Sequence, residues 1–174
     1  MPAPATLCRR HGLAGGCAHV RQLRLAAAAQ RGVTLLEIMF ALAMIAVLGA
    51  IAVPAYRSHL ARVDINRAIG DVHDIGLSLE RWQVNNGRFP DTLTEAGLDG
   101  RVDPWGNPYR YLNMDGANPG EMRKDKNLVP INTDFDLYSA GKDGRSSPPL
   151  TARQSQDDIV RASNGAFVGL GSDY

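Results

Sequence analysis

The side chain with the clearest chemical requirement is Glu37, an acid inside an apolar run. Residues 33–53 are apolar or small except Thr34 and Glu37, and at about 1.5 Å per residue a helix of that length crosses a bilayer. A carboxylate there costs on the order of 2.5 kcal/mol or more unless it is paired. If the chain were cut after Gly32, the new amine of Val33 in a neighbouring copy could pair with Glu37. The alternative is an incidental acid drawn toward the lipid headgroups.

A second group of acids stands at the two ends of a polar stretch, residues 144–157. Asp143 lies at one end, and Asp157 and Asp158 lie at the other. If the stretch folds back, the three carboxylates meet backbone carbonyls near Ala140, and a calcium ion takes about six to eight oxygen ligands of these kinds. The spacing is not that of an EF-hand. Spacing alone therefore favours the simpler alternative, in which Asp143 shapes a turn and the other two acids are solvated.

The sequence contains little that would support catalysis. Both cysteines, Cys8 and Cys17, precede Val33, and the later histidines, His59 and His73, fall on one predicted helix and are expected to be solvated. A phosphate-cradling glycine loop and a nucleophile-elbow pattern are absent from the sequence. We therefore expect a protein that is not an enzyme, with an enzyme anchored by one helix as the alternative.

Charge is distributed unevenly along the chain. Five of the 19 bases and none of the 18 acids precede Val33, so the formal net charge of +1 becomes −4 for residues 33–174. Basic residues before an apolar span favour a cytoplasmic N-terminus and an exported body. A body of net negative charge without a long basic run argues against nucleic acid as a partner.

One long helix is predicted to carry Glu37 and to continue into the exported body. Residues 33–54 form its membrane-spanning half, and residues 55–84 form an amphipathic half with apolar residues mostly at spacings of three and four. The apolar positions of the second half are Tyr56, Leu60, Val63, Ala68, Val72, Ile75, Leu79 and Trp82. Pro54 is expected to loosen the helix or, alternatively, to end the span.

Residues 85–174 are predicted to form a small domain with three or four short antiparallel strands. Strand-forming residues cluster at Tyr109–Tyr111, at Phe135–Tyr138 and within Ile159–Leu170. The stretch 115–126, rich in Gly, Pro, Asn and charge, is predicted to be a solvated loop. A long helix packed on such a sheet forms an α+β layer.

The stretch Asp103–Tyr111 alternates rigid and permissive turn residues before it enters a strand. We expect Trp105, Tyr109 and Tyr111 to cover the apolar face of the long helix, because large aromatic side chains bury the most area. A surface-binding aromatic patch is the alternative.

The residues around Glu37 match a known processing motif. The string Arg31-Gly32-Val33-Thr34-Leu35-Leu36-Glu37 resembles the prepilin cleavage and methylation motif of type IV pilins and pseudopilins. The resemblance implies that residues 1–32 are a leader, removed by a prepilin peptidase between Gly32 and Val33. It also implies N-methylation of Val33 and a role for Glu37 in the assembly of a helical filament.

Two further blocks narrow the resemblance. Asp103–Tyr109 is similar to the Asp-Pro-Trp-Gly-x-Pro-Tyr signature of the major pseudopilins of type II secretion, the protein G family. Asp136–Gly144 resembles the Asp-Leu-Tyr-Ser-x-Gly-x-Asp-Gly element of the same family. The resemblance implies a pilin-like fold and a subunit whose polymer drives protein export across the outer membrane. A type IV pilin or minor pilin for adhesion, motility or DNA uptake is the alternative.

The same resemblance implies a cofactor, a location and a set of partners. It implies a structural calcium ion held by Asp143, Asp157, Asp158 and the carbonyl of Ala140. Expected partners are further copies of the chain, minor pseudopilins, the prepilin peptidase and an inner-membrane assembly platform. The chain would cross the inner membrane once, with its C-terminal domain in the periplasm, and would then enter a periplasmic pseudopilus.

Overall fold

The computed structural model describes residues 32–174, so residues 1–31 of the predicted leader lie outside the described part. The chain divides into two compact units, residues 1–43 and residues 44–174, and the first is described only from residue 32. The helix α1 runs over Leu35–Asn86. The four strands are β1 (Arg110–Asn113), β2 (Phe135–Ser139), β3 (Ile159–Ala162) and β4 (Phe167–Leu170). The predicted α+β class is therefore confirmed.

Helix α1 begins directly after Thr34. The Thr34 hydroxyl oxygen accepts a hydrogen bond of 3.2 Å from the backbone N–H of Glu37, and the Thr34 carbonyl accepts one of 3.3 Å from Ile38. Threonine is a favoured N-cap because its side chain satisfies a first-turn N–H that has no partner within the helix. Glu37 consequently lies in the first turn, where the helix dipole favours a negative charge.

The far end of α1 is closed by a glycine. The N–H of Gly87 donates to the carbonyl of Gln83 over 2.8 Å, and the φ of Gly87 is +75°, which is the left-handed conformation common after a helix end. Pro54 lies inside α1. The prediction that the helix continues past Pro54 is confirmed, and its end lies two residues beyond the predicted Val84.

The strands form one antiparallel sheet in the order β1-β2-β3-β4. One face of this sheet packs against α1, where Ala68, Val72, Ile75 and Leu79 are completely buried. Their partners from the sheet are Phe135, Leu137 and Ile159. Of the apolar positions predicted along the amphipathic half of the helix, only those from Ala68 to Leu79 pack against the sheet. Tyr56, Leu60 and Val63 stay exposed, since the buried cluster begins at Ala68.

The opposite face of the sheet is covered by connecting segments. Ile131 and Leu150 from these segments pack on Val160 and Ala162 of β3. The expectation of a solvated loop over residues 115–126 is wrong at Arg123, which is only 2% exposed. Its backbone carbonyl accepts a 3.0 Å hydrogen bond from the N–H of Ile131, because residues 123–125 run beside residues 129–131.

Candidate functional sites

The predicted cleavage point lies in a short non-helical segment before α1. Gly32 and Val33 are both exposed, and Val33 keeps 65% of its surface accessible. The side chain of Glu37 is also exposed, one turn further along. Cleavage after Gly32, methylation of Val33 and an assembly role for Glu37 stay predictions, for which this geometry leaves the required groups accessible.

The apolar part of α1 is long enough to span a membrane by length and composition. The helix contains an 18-residue apolar window, and none of that window is buried within the described residues. Near an N-terminus the same pattern also occurs in signal sequences. Apolar surface of this extent is unfavourable in water, which favours a covering of lipid or of other chains over this part of α1.

Asp103 organises the turn that precedes β1. It is 3% exposed, and its Oδ1 accepts hydrogen bonds from the N–H groups of Trp105 (3.0 Å) and Asn107 (2.8 Å). Its Oδ2 accepts a bond of 2.6 Å from the hydroxyl of Ser139 in β2. The φ of Gly106 is +92°, a conformation that glycine adopts without strain. This turn joins the sheet to the loop between β2 and β3, residues 140–158, which we call the acid loop. The link is a hydrogen bond of 2.9 Å from the Asn107 side chain to the Gly141 carbonyl.

The aromatic residues of this block pack against the helix, as predicted. Tyr109 belongs to the buried cluster with α1, and Trp105 and Tyr111 pack against that cluster. The Tyr109 hydroxyl donates to Asp71 over 2.9 Å, and the Tyr111 hydroxyl donates to the Pro90 carbonyl over 2.7 Å. Burial is the main cause that raises the pKa of both phenols, and the Asp71 carboxylate adds to the effect at Tyr109.

The loop between β2 and β3 brings two of the predicted calcium ligands together. The N–H of Asp143 donates to Oδ2 of Asp157 over 3.2 Å, and Oδ1 of Asp143 accepts a bond of 2.8 Å from the N–H of Arg145. At Gly141 a Cβ would lie 2.4 Å from the carbonyl oxygen of Asp157. The two ends of the loop are thus in direct contact. Ala140 is completely buried beside this contact.

Asp158 differs from these two acids because it is buried in an ion pair. Its exposure is 0%, and its Oδ2 accepts bonds of 2.6 Å from Nη2 of Arg123 and 2.6 Å from the Ser146 hydroxyl. Within residues 32–174 no three acidic, histidine or cysteine side chains are grouped to hold a metal ion. The four predicted ligands are therefore not assembled as one group: Asp143 and Asp157 are in contact, whereas Asp158 pairs with Arg123. Calcium binding at Asp143 and Asp157 stays a prediction.

The electrostatics of Asp158 follow from its burial. Desolvation raises the pKa of this carboxyl above its ordinary value, while the Ser146 hydroxyl and the Arg123 guanidinium oppose the rise. Burial likewise raises the pKa of the neighbouring Asp136, opposed first by the N–H of Arg123. Arg123 therefore contacts two desolvated carboxyl groups, which also accept hydrogen bonds from Ser146 and Asn132, although the sequence predicted that residues 115–126 are solvated. A buried arginine in a polar loop carries no local sequence signal.

The first comparison with known proteins concerns the N-terminal segment. Residues 27–53 match the family described as "Prokaryotic N-terminal methylation motif". This range contains the predicted processing residues and most of the apolar half of α1. Together with one long helix on a small antiparallel sheet, the match defines a pilin-like protein.

The whole-chain relatives narrow this class. The chain is 30% identical over 139 residues to the type II secretion system core protein G of Pseudomonas aeruginosa, covering 67% of this chain and 86% of that protein. It is 31% identical to the protein of the same name from Escherichia coli K12, over 75% of this chain and 90% of that protein. A type IV major pilin protein PilE1 of Neisseria gonorrhoeae is 33% identical, over 40% of this chain and 42% of that protein. The chain belongs to the family of the type II secretion system core protein G.

Proposed function

We propose that the chain is the major, polymerising subunit of a type II secretion pseudopilus. Membership of the protein G family carries this proposal, and the methylation-motif match over residues 27–53 supports it. In this role the chain waits in the inner membrane with its N-terminus in the cytoplasm. The prepilin peptidase cuts it after Gly32 and the amine of Val33 is methylated. Polymerisation on an inner-membrane platform, with minor pseudopilins, then extends a filament that moves proteins through the outer membrane.

The chemistry of assembly in this proposal rests on Glu37. Its side chain is exposed in the first turn of α1, and it takes part in no salt bridge within residues 32–174. An unpaired carboxylate among apolar side chains is unfavourable in a membrane. The free amine of Val33 on an adjacent copy neutralises it, so that pairing between subunits favours assembly.

The apolar surface of α1 provides the contact area for the filament core. Large apolar side chains between Val33 and Val53 keep 49% to 79% of their surface exposed. They surround the helix rather than line one face, as expected for a segment covered by lipid before assembly and by other helices afterwards. His59 and His73 are exposed on the helix, and we propose no catalytic role for any residue.

The processing step is tested by intact mass and N-terminal sequencing of the protein from cells with and without prepilin peptidase. We expect a mature form that begins at N-methylated Val33 only when the peptidase is present. An uncut chain, or a chain cut at another bond, would refute the assignment.

The assembly step is tested with Glu37→Ala and a matched change in the same turn, Thr34→Ala. Sedimentation of filaments from cells should show that Glu37→Ala is processed but does not polymerise. Thr34→Ala loses the helix cap, worth about 1 kcal/mol, but keeps the carboxylate, so it should still polymerise. Equal loss of filaments in both variants would mean that Glu37 acts through the helix start and not through pairing.

The alternative is a type IV pilin or minor pilin, which the partial similarity to the gonococcal pilin favours. Complementation separates the two roles. Restoration of protein export in a secretion mutant lacking its protein G supports the proposal, whereas restoration of piliation alone in a pilin mutant supports the alternative.

A further inference from the structure

The acid loop already contains a cation supplied by the chain itself. Arg123 and Asp158 are 2% and 0% exposed, and their closest atoms, Nη2 and Oδ2, are 2.6 Å apart. This is the one salt bridge in the described part of the chain whose two side chains are both almost completely buried. A buried carboxylate without a positive partner is strongly unfavourable, so the guanidinium is required where it lies.

The same guanidinium also holds the loop. Its Nη1 donates to the Ser146 hydroxyl and, over 2.5 Å, to the Ser147 carbonyl. Its central carbon lies 4.4 Å from the centre of the Tyr138 ring in β2, within the range of a cation–π contact. The backbone N–H of Arg123 is anchored by Oδ2 of Asp136 over 2.6 Å. The Arg123 side chain therefore links the loop at Ser146 and Ser147 to Tyr138 of β2 and to Asp158, the residue before β3.

The two faces of the sheet explain why Asp157 and Asp158 differ. Successive residues entering a strand point to opposite faces, and the Asp158 carbonyl already accepts the Gly171 N–H over 2.8 Å in the direction of β4. Asp157 accordingly lines a groove with Trp105 on the helix side, while Asp158 meets Arg123 on the other side. A calcium ion bound by both acids would also lie close to the positive guanidinium, which repels it.

In place of the calcium ion predicted at Asp143 and Asp157, we propose that Arg123 is the cation of this loop, neutralising Asp158 and fastening residues 141–158 to the sheet without a metal ion. Two buried atoms of the pair have no hydrogen-bond partner, namely Nε of Arg123 and Oδ1 of Asp158. The first is a donor and the second is an acceptor. They are the complementary groups of a two-pronged arginine–carboxylate pairing. In this structure those two atoms stay unpaired, and the ion pair is held by the contact between Nη2 of Arg123 and Oδ2 of Asp158.

The test uses the full chain in detergent, with thermal unfolding followed by tryptophan fluorescence, because Trp82 and Trp105 both lie in the unit of residues 44–174. The unchanged protein should have the same Tm in calcium chloride and in excess chelator. Arg123→Met should lower the Tm by roughly 10 °C, since breaking a buried ion pair leaves an uncompensated charge. Arg145→Met is the matched control, because Arg145 lies in the same loop but is exposed, and its Tm should shift by about 1 °C or less.

A double variant separates charge pairing from packing. Arg123→Met combined with Asp158→Leu removes both charges, and it should recover at least half of the Tm lost in Arg123→Met. The inference is overturned if calcium raises the Tm of the unchanged protein by several degrees while chelator lowers it. It is also overturned if Arg123→Met shifts the Tm no more than Arg145→Met does, or if the double variant recovers nothing. Should Arg123→Met fail to fold, the calcium response of the unchanged protein decides alone.

Discussion

Removing the carboxylate of Asp103 should destabilise the unit of residues 44–174 more than removal of any exposed acid. Asp103→Ala deletes the acceptor for the N–H groups of Trp105 and Asn107 and for the Ser139 hydroxyl. Ser139 is completely buried, so its hydroxyl loses a hydrogen bond that water cannot replace. The turn would then lose its link to β2.

The size of this effect follows from the three donors. The hydroxyl is buried and the two N–H groups are partly buried, so each costs about 1–2 kcal/mol when its charged acceptor is removed. The total is roughly 3–6 kcal/mol, which corresponds to a Tm lower by roughly 10–20 °C for a domain of this size. Asp103→Asn should cost only about 1–2 kcal/mol, because its amide oxygen can keep the two N–H bonds while its NH₂ group faces the Ser139 oxygen.

The assay is thermal unfolding of the full chain in detergent, followed by tryptophan fluorescence. Asp115→Ala serves as the matched control, since Asp115 is exposed and its loss should change the free energy of unfolding by about 0.5 kcal/mol or less. The expected order of destabilisation is Asp103→Ala, then Asp103→Asn, then the control. If Asp103→Ala were no worse than Asp103→Asn, the buried hydrogen bonds would not be what holds this turn.

Two further predictions concern a glycine and a phenol. Gly141→Ala should lower the free energy of unfolding by about 2–4 kcal/mol, because φ is +64° and the new Cβ would lie 2.4 Å from the Asp157 carbonyl oxygen. Gly116→Ala is the control: its φ is +73° but the space around it is open, so it should cost only about 1 kcal/mol. Equal Tm values for the two variants would contradict the packing argument. Tyr109 has a pKa raised mainly by burial and next by its carboxylate partner, so the folded state favours the protonated phenol and loses stability as the pH rises above the ordinary tyrosine value. Phenolate absorbance at alkaline pH should show that Tyr109 ionises only when the domain unfolds, and ionisation in the folded protein would refute this.

The N-terminal half of the structure was predictable because local rules are sufficient there. The apolar run predicted a helix from Val33, and α1 begins two residues later, at Leu35. An all-apolar segment of this length needs no tertiary partner within the chain to be recognised as a span. The predicted processing residues, Gly32, Val33 and Glu37, come from the same short string, and their roles stay predictions.

The predicted ligand set was only partly brought together by the fold. Folding of the loop back on itself places Asp143 next to Asp157, as the spacing allowed. Asp158 lies on the other face of the sheet, because a strand turns successive side chains in opposite directions. Adjacent positions in sequence were therefore a poor guide to a shared site.

The sequence by itself determined the membrane-length helix, the Asp-Pro-Trp-Gly turn and the family of the protein. Only the tertiary structure decided which cation faces the buried acid. Arg123 and Asp158 are 35 residues apart, and they meet because Ile131 and Leu150 pack the connecting segments onto the second face of the sheet. A local pattern reports what a residue prefers, whereas the partner of a buried charge depends on which distant segment covers it.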